Sequence, residues 1–267
     1  MIGGSTRLFL LLGRPVAHSL SPAMQNAAFQ ALGLDAVYAA LDCPPEDTFA
    51  LAQSLAQGGG GGNATVPHKT VLAAALGRPS HRVDRLGAAN VFWGEGETLV
   101  GDNTDLDGVL DALARLEAPA TRWLVVGTGG SARAVVGAAL ERGAHVAVRS
   151  RTGTRAAEFA AWAASIGVAS TEPSECEVLI NATPLGLAPG DALPVDVATT
   201  PKARVALDLV YRQGETPWVR HCRSMGLHAT DGREMLVAQG AGSLERWFPK
   251  VRAPREVMRA AVARALA

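Results

Sequence analysis

Cysteine, lysine and net charge are all scarce in this sequence. The 267 residues include three cysteines, Cys43, Cys176 and Cys222, far apart and without a CxxC pair. That spacing builds neither a disulfide framework nor a thiolate metal site. Basic and acidic side chains number 25 each, so the electrostatic footprint of a nucleic-acid or membrane-surface binder is missing. The longest strongly apolar run, Leu8 to Leu12, is much too short to span a bilayer. No small-residue cleavage pattern follows it, as one would in a secretory signal. The expectation is a soluble cytoplasmic protein without disulfides, nucleic-acid partner or membrane partner. Only three of the basic residues are lysines, Lys69, Lys202 and Lys250. Where arginine is the default cation, a lysine marks a place to look for chemistry, although an ordinary surface ammonium remains the competing reading.

Apolar residues make up 48% of the chain, ample for a core, and the length suits two domains. The run Arg7 to Gly13 reads as a buried strand ended by glycine. Ser21-Pro22 opens a helix with Ser as cap and Met24, Ala27, Ala28 and Ala31 on one face. A strand over Ala36 to Leu41 and a helix over Glu46 to Gln57 follow, the helix stopped by the glycines 58 to 62. Asn63 to Val66 reads as a third strand broken by Pro67, and His68 to Leu76 as a helix. After a weakly helical stretch come strands around Ala88 to Trp93 and Thr98 to Val100. This alternation predicts an α/β protein with a parallel or mixed sheet.

A second unit starts near Leu106 with an amphipathic helix over Asp107 to Leu116. The segment WLVVGTGGSARAVVGAALERGAHVAVRSRT then reads as strand, glycine turn, Ala-rich helix and second strand, one βαβ unit of about 30 residues. Further strands are expected at Val178 to Asn181 and Val205 to Leu209, with a helix over 154 to 165 before them. Helices over Arg233 to Trp247 and Pro254 to Leu266 finish the chain.

The glycine turn Gly127-Thr128-Gly129-Gly130-Ser131-Ala132 has alanine at the third glycine position of GxGxxG, yet it follows a strand and opens a helix. That is the context in which helix N–H groups receive a pyrophosphate; the alternative is a turn that binds nothing. An NAD site calls for a carboxylate about 20 positions on. Here the second strand ends in Arg149-Ser150-Arg151-Thr152, with Arg155 close behind and no carboxylate. Guanidinium and hydroxyl groups suit a 2′-phosphate, hence NADP, unless these arginines merely face water.

Two polar clusters fall at strand ends, where open α/β sheets place their sites. One is Asn63-Ala64-Thr65-Val66-Pro67-His68-Lys69 and the other Gly101-Asp102-Asn103-Thr104-Asp105. A lysine held by a carboxylate makes a positioned proton donor; taken alone, each residue reads as structural. The glycines 58 to 62 are no phosphate loop, because the Gly-Lys-Ser/Thr ending is missing. Ser19 and Ser21, two apart at a helix start, suit either a cap or the grip of a carboxylate. His221, Cys222 and His228 lack zinc-site spacing, and no metal is expected.

Taken together, GRPVAHSLSP, NATVPHK, AAN (Ala88 to Asn90), GDNTD, GTGGSARA, SRTGTR, NATPLG, DLVY and DGREMLVAQGA resemble the shikimate dehydrogenase family, in its order and near its spacings, from about residue 8 to 248. The resemblance implies an N-terminal mixed-sheet substrate domain, residues 1–105 joined by the returning helices 233–267, and a Rossmann-like NADP-binding domain, residues 106–232. It implies reversible hydride transfer from NADPH to the ketone of 3-dehydroshikimate, with Lys69 catalytic and Asp105 its partner. Ser19 and Ser21 would bind the substrate carboxylate, and Thr65, Asn90, Tyr211 and Gln239 would also contact substrate. Gly127, Thr128, Gly129, Gly130 and Ser131 would hold the pyrophosphate, and Ser150, Arg151, Thr152 and Arg155 the 2′-phosphate. Leu209 and Gly232 fall where the family lines the nicotinamide, with Thr183 nearby.

This chain departs from the family in carrying Leu106 where glycine is usual, Gln25 for a common histidine and Ser150 for asparagine. The resemblance leaves Leu106 as a side chain beside the site. Quinate or aminoshikimate oxidoreduction is the nearest alternative; Ser21 favours shikimate, because quinate-preferring relatives often carry threonine there. A non-catalytic NADP or shikimate sensor is the alternative from another class, and retention of Lys69 and Asp105 argues against it. The resemblance is compatible with a monomer or a homodimer.

Overall fold

The structure, a computed structural model, describes residues 2–119 and 121–267. The chain divides into two compact units, Met1–Asp107 with Leu236–Ala267 and Gly108–Met235. The first contains β1 (Arg7–Gly13), α1 (Ser21–Ala31), β2 (Ala36–Asp42), α2 (Thr48–Gln57), β3 (Gly61–Ala64), α3 (Lys69–Ala75), β4 (Arg78–Pro79), α4 (His81–Leu86), β5 (Val91–Glu95) and β6 (Thr98–Asp102). The chain leaves this unit within α5 (Asp105–Arg115).

Its six strands lie in the order β2-β1-β3-β5-β6-β4. β1 runs parallel to β2 and β3, whereas β5 is antiparallel to β3 and β6, so the sheet is mixed. β3 lies near the middle and uses glycines that the sequence reading took for a helix stop. A Cβ on Gly62 would sit 2.1 Å from the Leu10 carbonyl oxygen and 2.8 Å from the Phe92 ring. The strand therefore starts at Gly61 rather than Asn63, and Val66 falls outside it, exposed. The expected serine cap of α1 is also corrected. Leu20 flanks the helix without a side-chain cap bond, Ser21 is its first residue, and Ser19 Oγ accepts the Ser21 N–H at 3.3 Å.

At the edge of this sheet, Asn26 on α1 donates from Nδ2 to the Tyr38 carbonyl (2.7 Å) and accepts the Tyr38 N–H at Oδ1 (2.9 Å). An amide thus stands where a further strand would pair.

The second unit is a five-stranded parallel sheet. It comprises β7 (Arg122–Val126), α6 (Gly130–Arg142), β8 (His145–Arg149), α7 (Gly153–Ser165), β9 (Val178–Asn181), β10 (Val205–Asp208), α8 (Pro217–Ser224) and β11 (His228–Thr230), with strand order β11-β10-β9-β7-β8. β9 and β10 are buried at every position, which is why they read as unbroken apolar runs. Leu124, Leu179, Ala206, Trp218 and Cys222 form the core between this sheet and α8.

α9 (Arg233–Trp247) returns the chain to the first unit, and α10 (Arg255–Ala265) follows and packs on α1. Trp247, at the end of α9, packs against Phe9 in a tilted pair with centroids 4.7 Å apart and donates from Nε1 to the Phe92 carbonyl at 3.1 Å. The last turn of α9 is thereby anchored on the mixed sheet.

Candidate active site

Strand register brings the first unit's candidate residues to one end of its sheet. Leu12 pairs with Ala64, Asn63 with Val91, and Val91 with Asp102. The connections after β1 (Ser19, Ser21), after β3 (Thr65, Lys69), before β5 (Asn90) and after β6 (Asp105) therefore all emerge at the same edge. Gly13 is needed there, because a Cβ would meet Thr65 Cγ2 at 2.3 Å.

Lys69 and Asp105 are the first residues of α3 and α5. Asp105 sits where a helix dipole favours an anion, whereas Lys69 stands against its own helix dipole and needs a counter-charge. It has one: Lys69 Nζ donates to Asp105 Oδ2 at 2.6 Å, with both side chains less than a tenth exposed. Asn90 Nδ2 lies 3.0 Å from the other carboxylate oxygen, 2.9 Å from Thr104 Oγ1 and 3.3 Å from Gln239 Oε1. Asn90 Oδ1 accepts the Thr104 N–H at 2.6 Å, which fixes the amide's orientation. Lys69, Asp105, Asn90 and Gln239 are thus one buried hydrogen-bonded group, with Thr65, Ser19 and Ser21 on neighbouring connections.

Several supporting residues had no individual role in the sequence reading, although Asn63 and Asp102 lie within its two polar clusters. Asn63 donates to the Asn90 carbonyl (2.8 Å) and to Ser243 Oγ (2.9 Å), and accepts from Tyr38 OH (2.8 Å). Ser243 Oγ also lies 3.1 Å from Thr104 Oγ1. Arg246 on α9 donates to Asp102 (2.5 Å) and Asp107 (3.3 Å), gripping both flanks of the turn that carries Asp105. Arginine pairing and hydrogen bonds from Ser80 and the Asn103 N–H hold the Asp102 carboxyl below its ordinary range despite burial. Leu106, expected beside the site, is buried, 2% exposed, and its N–H caps onto Asn103 Oδ1.

In the second unit Gly127 follows β7, which lies between β8 and β9, the point where strand order reverses and where such sheets bind ligands. Its φ is +115°, and a Cβ would lie 2.8 Å from the Ala182 carbonyl oxygen. A Cβ on Gly129, by contrast, would meet nothing within 4 Å. Gly129 flanks the start of α6 without a side-chain cap, leaving a backbone cradle at a helix N-terminus. Thr128 lies in this turn, and Gly130 and Ser131 are the first two residues of α6.

Ser150, Arg151, Thr152 and Arg155 follow β8, with both arginines exposed. The Thr152 hydroxyl accepts the Arg155 N–H at 3.4 Å, so it caps α7. Arg149 reaches Thr199 at 3.3 Å. Thr183 donates from its hydroxyl to Asn181 Oδ1 at 2.6 Å. Gly232 donates to the Val210 carbonyl at 3.0 Å, and a Cβ on it would meet the Leu209 carbonyl oxygen at 2.3 Å. Tyr211 lies in the connection after β10, within this unit.

The fold and these groups define an α/β protein of two units, one mixed-sheet and one built as a dinucleotide-binding domain. The family description "Shikimate dehydrogenase substrate binding domain" matches residues 11–92, and "Shikimate 5'-dehydrogenase C-terminal domain" matches residues 232–263. The chain is 37% identical to the shikimate dehydrogenase (NADP(+)) of Synechocystis, covering 98% of this chain and 96% of that one. It is 39% identical to the enzyme of that name from Brucella abortus, covering 91% and 89%. Among solved structures, shikimate 5-dehydrogenase from Thermus thermophilus in complex with NADP(H) and shikimate superposes with a TM-score of 0.86 at 35% identity, covering 97% and 99%. The chain belongs to the shikimate dehydrogenase family.

Proposed function

We propose that this chain is an NADP-dependent shikimate dehydrogenase, reversibly reducing the ketone of 3-dehydroshikimate to the alcohol of shikimate in aromatic amino acid biosynthesis. The observation that carries the reading is the buried Lys69–Asp105 pair with Asn90 and Gln239 gathered on it. The named relatives support it, and no finding favours quinate, aminoshikimate or a sensor role.

The substrate is assigned to residues of the first unit, with Tyr211 the exception, and the cofactor to the second unit. NADPH supplies the hydride when bound. The uncapped start of α6 and the open space around Gly129 suit its pyrophosphate, and Ser150, Arg151, Thr152 and Arg155 suit its 2′-phosphate. Thr183, Leu209 and Gly232 are assigned to the nicotinamide end. Ser19 and Ser21 hold the substrate carboxylate, and Thr65, Asn90, Tyr211 and Gln239 its ring substituents.

As negative charge develops on the ketone oxygen, the Lys69 ammonium stabilises it and delivers a proton. Asp105 orients the ammonium through one carboxylate oxygen, while Asn90 holds the other and prevents the carboxylate from rotating away. The group is organised before substrate arrives, so little reorganisation is left for the reaction itself.

The chain is assigned to the cytoplasm as a monomer or homodimer; its balanced charge argues against a nucleic-acid partner, and among the described residues no helix is long and apolar enough to cross a membrane. Initial rates with shikimate, quinate and aminoshikimate, each with NADP and NAD, test the proposal. Rapid NADP-linked oxidation of shikimate is expected, and its absence overturns the reading.

A further inference from the structure

We propose that Asp208 is a positioning residue for the cofactor, setting the two loops that carry Thr183 and Leu209 through three hydrogen bonds to one buried carboxylate. The inference rests on the NADP reading of the second unit.

Asp208 is the last residue of β10 and is fully buried. Its Oδ1 accepts from Asn181 Nδ2 (2.8 Å) and from the Val210 N–H (3.1 Å), and its Oδ2 accepts from Thr216 Oγ1 (2.7 Å). Among the described residues no cation pairs with it; the nearby Asp231 is held by Arg233 instead. A buried carboxylate without a cation is costly, and burial pushes this one up to about 6. Three neutral donors, one at the end of β9 and two in the connection between β10 and α8, offset that cost.

Each bond has a consequence further along. Donation to Asp208, together with a longer bond to the Leu185 carbonyl (3.1 Å), fixes the Asn181 amide so that its Oδ1 faces the Thr183 N–H (3.0 Å) and hydroxyl (2.6 Å). Turned over, the same amide would point NH₂ at those two donors, and the Thr183 turn would lose its anchor. The Val210 bond bends the chain immediately after Leu209. Gly232 closes that bend from the opposite side, its α-carbon against the Leu209 carbonyl. Thr216 completes the set while capping α8 through the Val219 N–H at 3.2 Å. Thr183, Leu209 and Gly232 come from three stretches of sequence, and one carboxylate ties two of these stretches together directly. Asp208 is given no contact with cofactor or substrate and acts through Asn181 and Val210.

The test uses the full chain as wild type, Asp208→Ala and Asp208→Asn. NADPH affinity is measured by fluorescence titration, and thermal unfolding confirms that each protein is folded at the assay temperature. Asp208→Ala is expected to weaken NADPH binding at least about 10-fold in folded protein, because the turns carrying Thr183 and Leu209 lose the bonds that order them before the cofactor arrives. Asp208→Asn is expected to recover most of that loss, because its amide oxygen still accepts from Asn181 and Val210 and its NH₂ can donate to Thr216. Unchanged affinity in Asp208→Ala overturns the inference, and so does an Asn variant as impaired as the Ala variant. If Asp208→Ala does not fold, Asn181→Ala removes the amide that joins Asp208 to the Thr183 turn, together with its bond to the Leu185 carbonyl, and should weaken binding similarly; wild-type affinity there overturns the proposal. A wild type that does not bind NADPH overturns the NADP reading itself, separately from any effect of the variants.

Discussion

Lys69 Nζ and Asp105 Oδ2 meet at 2.6 Å, each at the first residue of its own helix and each nearly sealed from solvent. Lys69→Ala removes the proton donor but none of the groups assigned to the substrate's periphery. Turnover should fall by roughly 10²–10⁴-fold, the scale of general acid catalysis, with little change in affinity for shikimate. Asp105→Asn should behave similarly. Steady-state kinetics separate the two quantities, and near-full turnover in Lys69→Ala would remove the lysine from the chemistry.

Arg151 is exposed at the end of β8, and only NADP offers it a 2′-phosphate. Arg151→Ala should lower NADPH affinity by about 10- to 150-fold while barely touching NADH, from the 1.5–3 kcal/mol scale of a charge-assisted hydrogen bond. The ratio of catalytic efficiencies with the two cofactors reads this directly. Arg155 can share the load, so the double variant should shift the ratio further.

Gly62 has no room for a methyl group between the Leu10 carbonyl and the Phe92 ring. Gly62→Ala should destabilise the protein by about 3 kcal/mol or more, because the obstructing atoms include backbone of the paired strand, which cannot swing aside. Urea unfolding gives the value, and a loss under about 1 kcal/mol would show that β3 is less tightly sandwiched than the structure indicates.

The Asp208 carboxyl titrates at about 6 in the fold against its ordinary 3.8. Between those values the folded chain keeps a proton that the unfolded chain has lost, so this group's contribution to stability falls as pH rises across the window and is level on either side. The full change is about 3 kcal/mol. Urea midpoints of wild type and Asp208→Asn at about pH 4 and pH 7 should therefore diverge, with the wild type losing ground at the higher pH. Parallel curves would place the titration elsewhere.

Sequence patterning made the second unit's framework legible because β7, β9 and β10 are buried on both faces and read as solid apolar runs. It failed at β3, where glycine means close packing rather than a chain break, and at β11, whose three residues are too few to show a period. α8 also escaped, since PWVRHCRS is short and mostly polar. Within the candidate site, Lys69 stood out by the rarity of its type and Asp105 by the motif around it. Asn63 and Ser243 did not, because the bond between them spans 180 residues and neither residue type is unusual. Asp208 was visible in DLVY, but a buried aspartate looks like a surface one until its three donors are located.

The amide of Asn26 that meets both main-chain groups of Tyr38 has a consequence for self-association. A second chain adding a strand outside β2 would have to evict that amide, exchanging two satisfied bonds for two equivalent ones while surrendering the freedom of a separate molecule. Nothing favours that exchange. At Tyr38 the outer edge of the sheet is closed by a side chain of the same molecule, so a strand added outside β2 would first have to displace Asn26.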